Sequence, residues 1–295
     1  MAGEGRYLSV HCVTPLKLEN VLKVADSLPP GARILAELRE LLLDPNSETE
    51  AITGLLRRDS ALTTRIIRIA NGVAFRRGDL VGSLDEAVLR IGLQQVYGLL
   101  GIASASQILG TPLKVYPIPS KALRENALFA ALLMEELAPK IGEDARLAYT
   151  AGLLSSIGKI ALDRTVQVLS RPGSPPLPPI ELTGIIAWER DVFGLTSTEV
   201  AAHILRAWRF PAEVYVAIRD HRLEDLTVDP MPMAKLLHVA AAAVADHGHG
   251  LPGEHAIWER HAATAREDLA LSDDVMAAGL DRAGAKFEKQ KSALD

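Results

Sequence analysis

Histidines and acidic residues lie close together in one stretch of the sequence, ADHGHGLPGEH. Four of its side chains that can bind a divalent metal are Asp246, His247, His249 and His255. Neutral imidazole and carboxylate groups are good ligands for such metals. However, the glycines between them give the chain no rigid support, and metal ligands need supporting contacts to hold their geometry. We therefore expect no specific metal site in this stretch.

A second group of candidate residues is basic. Six arginines lie between residues 57 and 77. In a helix over residues 60–71 the apolar side chains would share one face, and Arg65 and Arg68 would point away from it. With Arg58 they form a candidate basic patch for a phosphate, an acidic protein surface or nucleic acid. A solvated helix face explains the same pattern, and nucleic acid is the weakest ligand because no aromatic residues are interleaved.

The overall composition limits the chemistry further. The chain has 295 residues, of which 48% are hydrophobic and only 4% aromatic, and its formal net charge is −5. Nucleic-acid-binding domains are normally basic, so this charge argues against that class. Cys12 is the only cysteine, which excludes an intramolecular disulfide and a zinc site built from thiolates.

Neither a signal peptide nor a membrane span is visible in the sequence. The N-terminal residues, MAGEGRYLSVHCVT, have no apolar core of signal-peptide length. The stretch nearest to a membrane span, residues 98–110, is too short and is interrupted by Ser104, Ser106 and Gln107. We expect a cytoplasmic protein without a membrane segment.

The elements that must position the candidate residues are helices. In ARILAELRELLLDP the apolar residues recur at helical spacing, and the pattern stops at Asp44 and Pro45. Capping boxes, which satisfy the first amides of a helix, are a second signal. They occur at Ser47 with Glu50, at Ser83 with Glu86 and at Thr196 with Glu199. No segment alternates between apolar and polar residues as a strand does, so we predict an all-α fold.

Two proline-rich segments interrupt the helices. Residues 109–120 contain three prolines, and we predict a junction between two helical subdomains near residue 115. Residues 170–184 contain five prolines and are predicted to form an extended surface loop, with a proline-rich docking motif as the alternative. The tail from Ser272 is predicted to be an amphipathic helix that frays at its end.

Three motifs follow one another between residues 28 and 93, namely LPPGARILAELRELLLDP, RRDSALTTRIIRIANG and GSLDEAVLRIGL. In this order and spacing they resemble the HDOD family, a group of bacterial signalling domains. In the C-terminal half, GLLSSIGK at 152–159 stands where the family has Gly-Leu-Leu-His-Asp-Ile-Gly-Lys, and a further matching pattern runs from Glu189 to Pro211. The resemblance implies two packed helical subdomains, the second an HD-like helical bundle.

The resemblance also implies a degenerate metal site. The related HD and HD-GYP phosphohydrolases bind metal through a His-Asp pair and further ligands, and the metal ions activate water. The matching positions here carry Ser155, Ser156, Ser197 and Arg222. Another helix that carries a histidine in the enzymes has Glu125 and Asn126 instead. Serine hydroxyls are neutral and hard to ionise, so we expect no metal, no cofactor and no hydrolase activity.

Other residues match positions near that site, namely Lys159, Glu189 and His221. They form a candidate relic pocket that could bind a nucleotide or phosphate through Lys159. The alternative is that Lys159 extends into solvent and that His221 lies at the surface of a helix end. The stretch AGLLSSIGKIAL, residues 151–162, is predicted to be one buried helix with the two serines at its centre.

The sequence thus predicts four parts: an N-terminal extension (1–24), an N-terminal helical subdomain (25–115), an HD-like helical subdomain (116–285) and a frayed tail (286–295). The resemblance implies a non-enzymatic regulatory module of signal transduction that binds a protein partner or a small effector. We expect neither nucleic acid nor a membrane as partner, and self-association stays open. A metal-dependent phosphodiesterase or phosphohydrolase and a nucleotide sensor remain as alternatives.

Overall fold

The computed structural model describes residues 15–28, 49–58, 60–72, 78–93, 112–170 and 184–290, with a few single positions between 34 and 96. Every regular element in these ranges is helical, which confirms the predicted all-α fold. No helix in the same ranges is both long and apolar enough to cross a membrane.

The helices of the N-terminal half pack on one another through their apolar faces. They are α2 (Thr49–Leu56), α3 (Ser60–Ala70) and α4 (Leu84–Ile91). Leu56, Leu62 and Ala87 are fully buried between them. Helix α4 begins at the predicted cap, where the Ser83 hydroxyl accepts a hydrogen bond from the Glu86 amide. The Glu86 carboxylate binds the Gly82 amide rather than that of Ser83, so only one half of the predicted capping box forms.

The C-terminal half is a bundle arranged around one long helix. Its helices are α5 (Ser120–Leu137), α6 (Ala145–Leu154), α7 (Ile157–Leu169), α8 (Ile185–Phe193), α9 (Ser197–Ala207), α10 (Ala212–Asp220), α11 (Pro232–Val244), α12 (His255–Asp268) and α13 (Asp273–Gln290). Helix α5 is buried along most of its length and packs against α6, α11 and α13. At Thr196 the predicted capping box is complete and starts α9. The Ser47 box lies outside the described residues.

Helices occupy both ends of the described chain. Residues 18–25 form helix α1, which packs on α7 and α9 because its amphipathic sequence buries Val21 and Ala25 there. The tail predicted to fray from residue 286 is still helical as far as Gln290. Phe287 stabilises it by stacking on Phe129, with 5.2 Å between the ring centroids. The boundary near residue 115 stays a prediction.

One carboxylate holds the proline-containing segment 112–119 against α7. Asp163 is fully buried, and its Oδ1 accepts hydrogen bonds from the backbone amides of Lys114, Val115 and Tyr116 at 2.9, 2.6 and 3.2 Å. Three amide donors can replace the hydration that a buried carboxylate loses. This arrangement places the Tyr116 ring against Trp188 and Phe193 of α8. Most of the predicted proline-rich loop, 170–184, lies outside the described residues.

Candidate functional site

The two serines at the predicted metal position form a turn, not the middle of a helix. Helix α6 ends at Leu154, Ser155 and Ser156 follow, and α7 begins at Ile157, so the prediction of one helix over 151–162 is wrong. The Ser155 hydroxyl donates to the carbonyl oxygen of Gly152 at 2.9 Å. This local bond offers the backbone an alternative to continued helix, which is why serine is common at helix ends. Ser156 is buried at the start of α7.

Arg222 and Glu189 form an enclosed ion pair. Arg222 Nη1 donates to Glu189 Oε2 at 2.8 Å, and Arg222 Nη2 donates to the Ser197 hydroxyl at 3.0 Å. The Ser197 amide donates to Glu189 Oε2 at 2.9 Å, and the Tyr116 hydroxyl donates to Glu189 Oε1 at 2.9 Å. Ser197 and Arg222, two of the positions predicted to have lost their metal ligands, therefore meet in one hydrogen-bonded cluster.

Burial and charge act in opposite directions on this pair. Burial raises the pKa of the Glu189 carboxyl, but the Arg222 guanidinium, with a smaller contribution from Lys159, outweighs it and leaves that pKa below its ordinary value. Burial likewise raises the pKa of the Tyr116 hydroxyl, and the neighbouring Glu189 carboxylate raises it further. Glu189 is therefore ionised and Tyr116 is a neutral hydrogen-bond donor at neutral pH.

A second buried ion pair joins the first. Lys159 Nζ lies 2.8 Å from Glu254 Oε1, and only about 5% of either side chain is exposed. Arg222 Nη2 lies 3.8 Å from the same oxygen. Two cations and two carboxylates thus share one enclosed, formally neutral network. The alternative in which Lys159 extends into solvent is wrong, because Glu254 from the turn before α12 gives the ammonium group an internal partner.

His221 also lies inside the protein, so the alternative of a surface position is wrong. Its ring stacks on Trp258 at 5.5 Å between centroids, and its Nδ1 lies 2.7 Å from the carbonyl oxygen of Ile218. Burial, and then the positive charge of Arg222, lower the pKa of His221 well below its ordinary value. Lys159 and Glu189 thus have ion-pair partners within the protein, and Nδ1 of His221 lies against a backbone carbonyl.

The donor set does not fit a metal centre. The predicted positions supply neutral serine hydroxyls and a guanidinium, which repels a divalent cation instead of binding it. Within the described ranges, no group of three or more His, Cys, Asp or Glu side chains is placed to hold a metal ion. At the Glu125–Asn126 position, the Asn126 side-chain amide donates to the carbonyl oxygen of His249 at 2.8 Å.

The histidine side chains of the stretch ADHGHGLPGEH contact different partners. The rings of His247 and His249 both lie nearly perpendicular to that of Phe129, and His249 Nδ1 lies 3.7 Å from Glu125. His255 is on the surface, 3.4 Å from Glu259 in the next turn of α12.

One member of the candidate basic patch, Arg58, forms an ion pair, and so does its neighbour Arg57. Arg58 Nη1 lies 2.7 Å from Glu37, and Arg57 pairs with Asp85. Arg68 is exposed on α3, and the side chain of Arg65 lies outside the described residues. The Arg58 guanidinium therefore already has an acidic partner within the protein.

Sequence reasoning missed Glu254 and Asp163. Glu254 lies far from Lys159 in the chain, and nothing local in GLPGEH distinguishes it from a surface glutamate. Asp163 had one usable signal in the sequence, because it is the only carboxylate in the mainly apolar run from Ile157 to Val166. A single acid within such a run is expected to have a specific partner.

Several solved structures share this fold. A candidate phosphohydrolase from Shewanella amazonensis SB2B aligns with a TM-score of 0.61 at 22% identity, covering 94% of this chain and 98% of that one. A candidate signal transduction protein from Marinobacter aquaeolei VT8 aligns with a TM-score of 0.67 at 20% identity over 97% and 62% of the two chains. An HDOD domain protein of unknown function from Geobacter sulfurreducens has a TM-score of 0.61 at 19% identity, over 95% and 99%.

The sequence itself matches one further protein and a family. An uncharacterized protein of Treponema pallidum (strain Nichols) is 22% identical over 223 residues, which are 73% of this chain and 42% of that protein. The chain thus spans less than half the length of this relative. The HDOD domain model matches residues 28–223, well over half of the chain. Together with the all-helical fold and the motifs around Ser155 and Glu189, this match shows that the chain belongs to the HDOD domain family.

Proposed function

We propose that this chain is a regulatory module of signal transduction that acts by binding a partner and not by catalysis. The observation that carries the proposal is the enclosed network of Arg222, Glu189, Lys159 and Glu254 at the position where related enzymes bind metal. The protein's own cations neutralise the carboxylates there. A side-chain cation cannot supply the metal-bound hydroxide that hydrolysis of a phosphate ester requires.

The energetics of the network support a structural role for these charges. A buried carboxylate without a partner is strongly destabilising, whereas a pair with good geometry and additional hydrogen bonds is tolerated. Glu189 has both, with Arg222 on one side and the Ser197 amide and Tyr116 hydroxyl on the others. Binding of a divalent cation would require Arg222 to leave this cluster, which would lose several charged hydrogen bonds at once.

The names of the structural neighbours are compatible with this proposal but do not decide it. One neighbour is named as a signal transduction protein and another as a phosphohydrolase, and both are below 25% identity. Residue types at the site therefore carry more weight than the names. The nucleotide-sensor alternative requires a free cation, and Lys159 is already paired with Glu254.

The test is to compare metal content and hydrolysis in one protein preparation. The full chain is produced with Mn²⁺ and Fe²⁺ in the medium, its metal content is measured, and it is assayed on an artificial phosphodiester and on a cyclic dinucleotide. We expect substoichiometric metal and no turnover above that of a Glu189→Gln variant. Stoichiometric metal with turnover that Glu189→Gln abolishes would contradict the proposal. Turnover that is equal in both proteins identifies a contaminating enzyme.

A further inference from the structure

The segment between α10 and α11 stands between two surface cavities. One cavity, of about 560 Å³, lies toward α8 and α9, and the other, of about 420 Å³, lies toward α12. Leu223, Asp229 and Pro230 line both cavities, so the segment forms a ridge with a hollow on either side. We call residues 223–231 and the two cavities the ridge surface. It adjoins the buried network, because Arg222 immediately precedes the ridge.

Apolar side chains project from this ridge. Leu226 is 53% exposed and lines the second cavity, and Val228 is 75% exposed and lines the first. Met231 adds further apolar surface to the first cavity. Single exposed apolar residues are common, but two on one ridge, each beside a hollow, give an incoming side chain both an apolar contact and a space to enter.

The charges around the ridge determine which occupant fits. Six carboxylates line the two cavities, from Glu199, Asp220, Glu224, Asp225, Asp229 and Asp268. Three accessible basic side chains accompany them, from Arg190, Arg219 and Lys235. The fourth, Arg222, is enclosed and neutralised by Glu189. The surface therefore carries three carboxylates in excess.

The three accessible cations are already bound by neighbouring carboxylates. Lys235 lies 2.7 Å from both Asp229 and Asp268. Arg190 likewise lies between Glu199 and Glu224, at 3.7 and 3.3 Å. Arg219 pairs with Asp220 at 2.6 Å. These pairs leave an excess of negative charge, which repels nucleic acid and anionic lipid and attracts a basic surface.

The ridge is preformed, which lowers the entropic cost of binding. Its base is fixed inside the protein by Arg222 and by buried Leu223, whose φ of 51° is in the left-handed region that non-glycine residues seldom adopt. Near its tip, Asp225 Oδ1 accepts hydrogen bonds from the amide and the hydroxyl of Thr227 at 2.9 and 2.6 Å. Lys235 holds the far end through Asp229.

We propose that the ridge surface docks a basic segment of a partner protein, in which lysine or arginine side chains flank an apolar side chain. The apolar side chain would contact Leu226 or Val228, and the basic groups would pair with the excess carboxylates. The inference rests on the proposed function, since it names the partner class of the same binding module. The occupant is a protein because the charge disfavours the two anionic macromolecular surfaces.

Binding of labelled peptides to the full chain tests the proposal. The probe is a short peptide of lysine and leucine, and the control peptides replace its lysines by glutamate or its leucines by serine. We expect the lysine–leucine peptide to bind at least about tenfold more tightly than either control and to weaken as salt is raised. A labelled single-stranded oligonucleotide is expected not to bind. Equal binding of the glutamate peptide, binding of the oligonucleotide or no binding of the probe would overturn the proposal.

Variants locate the interaction on the surface. Leu226→Ser with Val228→Ser, and separately Asp225→Asn with Asp229→Asn, should each weaken the probe at least about fivefold, and the second pair should also reduce its salt dependence. The matched controls are Leu80→Ser with Leu89→Ser, which are similarly exposed, and Asp274→Asn with Asp281→Asn, which line neither cavity. Equal losses in ridge and control variants would reject the ridge surface.

Failure of this inference is distinguishable from failure of the proposed function. If the ridge variants bind the probe normally and the chain lacks hydrolase activity, the module binds its partner elsewhere and only the inference fails. If hydrolysis depends on Glu189, the proposed function fails whatever the peptide does. The peptide and hydrolysis assays use the same protein preparation, so the two results can be compared directly.

Discussion

Arg222 and Glu189 approach to 2.8 Å between Nη1 and Oε2, and their side chains are 1% and 0% exposed. The carboxylate also receives hydrogen bonds from Ser197 and Tyr116, so each of its oxygens has a donor besides the guanidinium. Arg222 is the last residue before the ridge, and Glu189 lies in α8. The pair therefore connects the interior of the bundle to the surface that we propose for partner binding.

Removal of Arg222 alone should strongly destabilise the protein. The variant Arg222→Met leaves Glu189 buried without its cation, and the expected loss is about 3–5 kcal/mol in the free energy of unfolding. The double variant Arg222→Met with Glu189→Leu should recover most of this loss, because it removes the charge that lost its partner. Urea unfolding of the four proteins of this double-mutant cycle measures the coupling between the two residues.

An exposed ion pair provides the control for that cycle. Arg282 Nε pairs with Glu136, and the Arg282 side chain is half exposed. The variant Arg282→Met should cost less than about 1 kcal/mol, as exposed pairs usually do. If Arg222→Met costs no more than Arg282→Met, the enclosed network does not depend on its arginine.

Asp163 should be essential for the position of the proline-containing segment 112–119. Asp163→Ala leaves three backbone amides without their acceptor, of which that of Tyr116 is buried, and we expect a loss of about 2–4 kcal/mol. Asp163→Asn retains one oxygen acceptor at the same position and should lose clearly less. Thermal and urea unfolding of both variants test this order. A larger loss in the asparagine variant would mean that the negative charge matters more than the acceptor geometry.

The sequence predicted the helical architecture because local signals determine helix ends and faces. The capping box at Thr196 and Glu199 is such a signal, and it forms in full. The turn at Ser155 and Ser156 was not predicted, because an apolar window does not show where one buried helix ends and the next begins.

The sequence indicated which residues belong to the candidate site but not how their charges pair. Family motifs placed Lys159, Glu189, His221 and Arg222 at one site, and the structure brings them together. What the motifs could not give is the partner of each charge. Glu254 belongs to a different segment, and the pairing of Lys159 with it depends on how α12 packs on α11. Non-local pairing of this kind leaves no periodic trace in the sequence.

The stability of the protein should fall below neutral pH in a way that depends on His221. Burial and Arg222 lower the pKa of His221 in the folded state well below 6.5, so the folded protein keeps this ring neutral while the unfolded chain takes up a proton. The free energy of unfolding should therefore decrease as the pH falls through 6.5 and continue to decrease until the folded pKa is reached. The contribution of one histidine is at most about 1.4 kcal/mol per pH unit.

Two histidine variants separate this effect from general acid destabilisation. His221→Gln should flatten the dependence between about pH 7 and pH 5. His255→Gln changes an exposed histidine of α12 and is the control. Burial also lowers the pKa of His238, so a double variant with His238→Gln should be flatter still. Urea unfolding at a series of pH values measures the slopes, and equal slopes for His221→Gln and His255→Gln would contradict the prediction.

Gly158 should tolerate no side chain, because the backbone of α9 lies directly against it. A Cβ atom at this position would lie 1.8 Å from the carbonyl oxygen of Ser197 and 2.9 Å from the amide nitrogen of Ala201, both of which are backbone atoms. We expect Gly158→Ala to cost more than about 3 kcal/mol, although alanine favours helix by about 1 kcal/mol over glycine. The matched control is Gly284→Ala in α13, where a Cβ meets no atom within 4 Å and should stabilise slightly. Urea unfolding of the two variants should give opposite signs, and equal signs would show that α9 can shift to accept a methyl group.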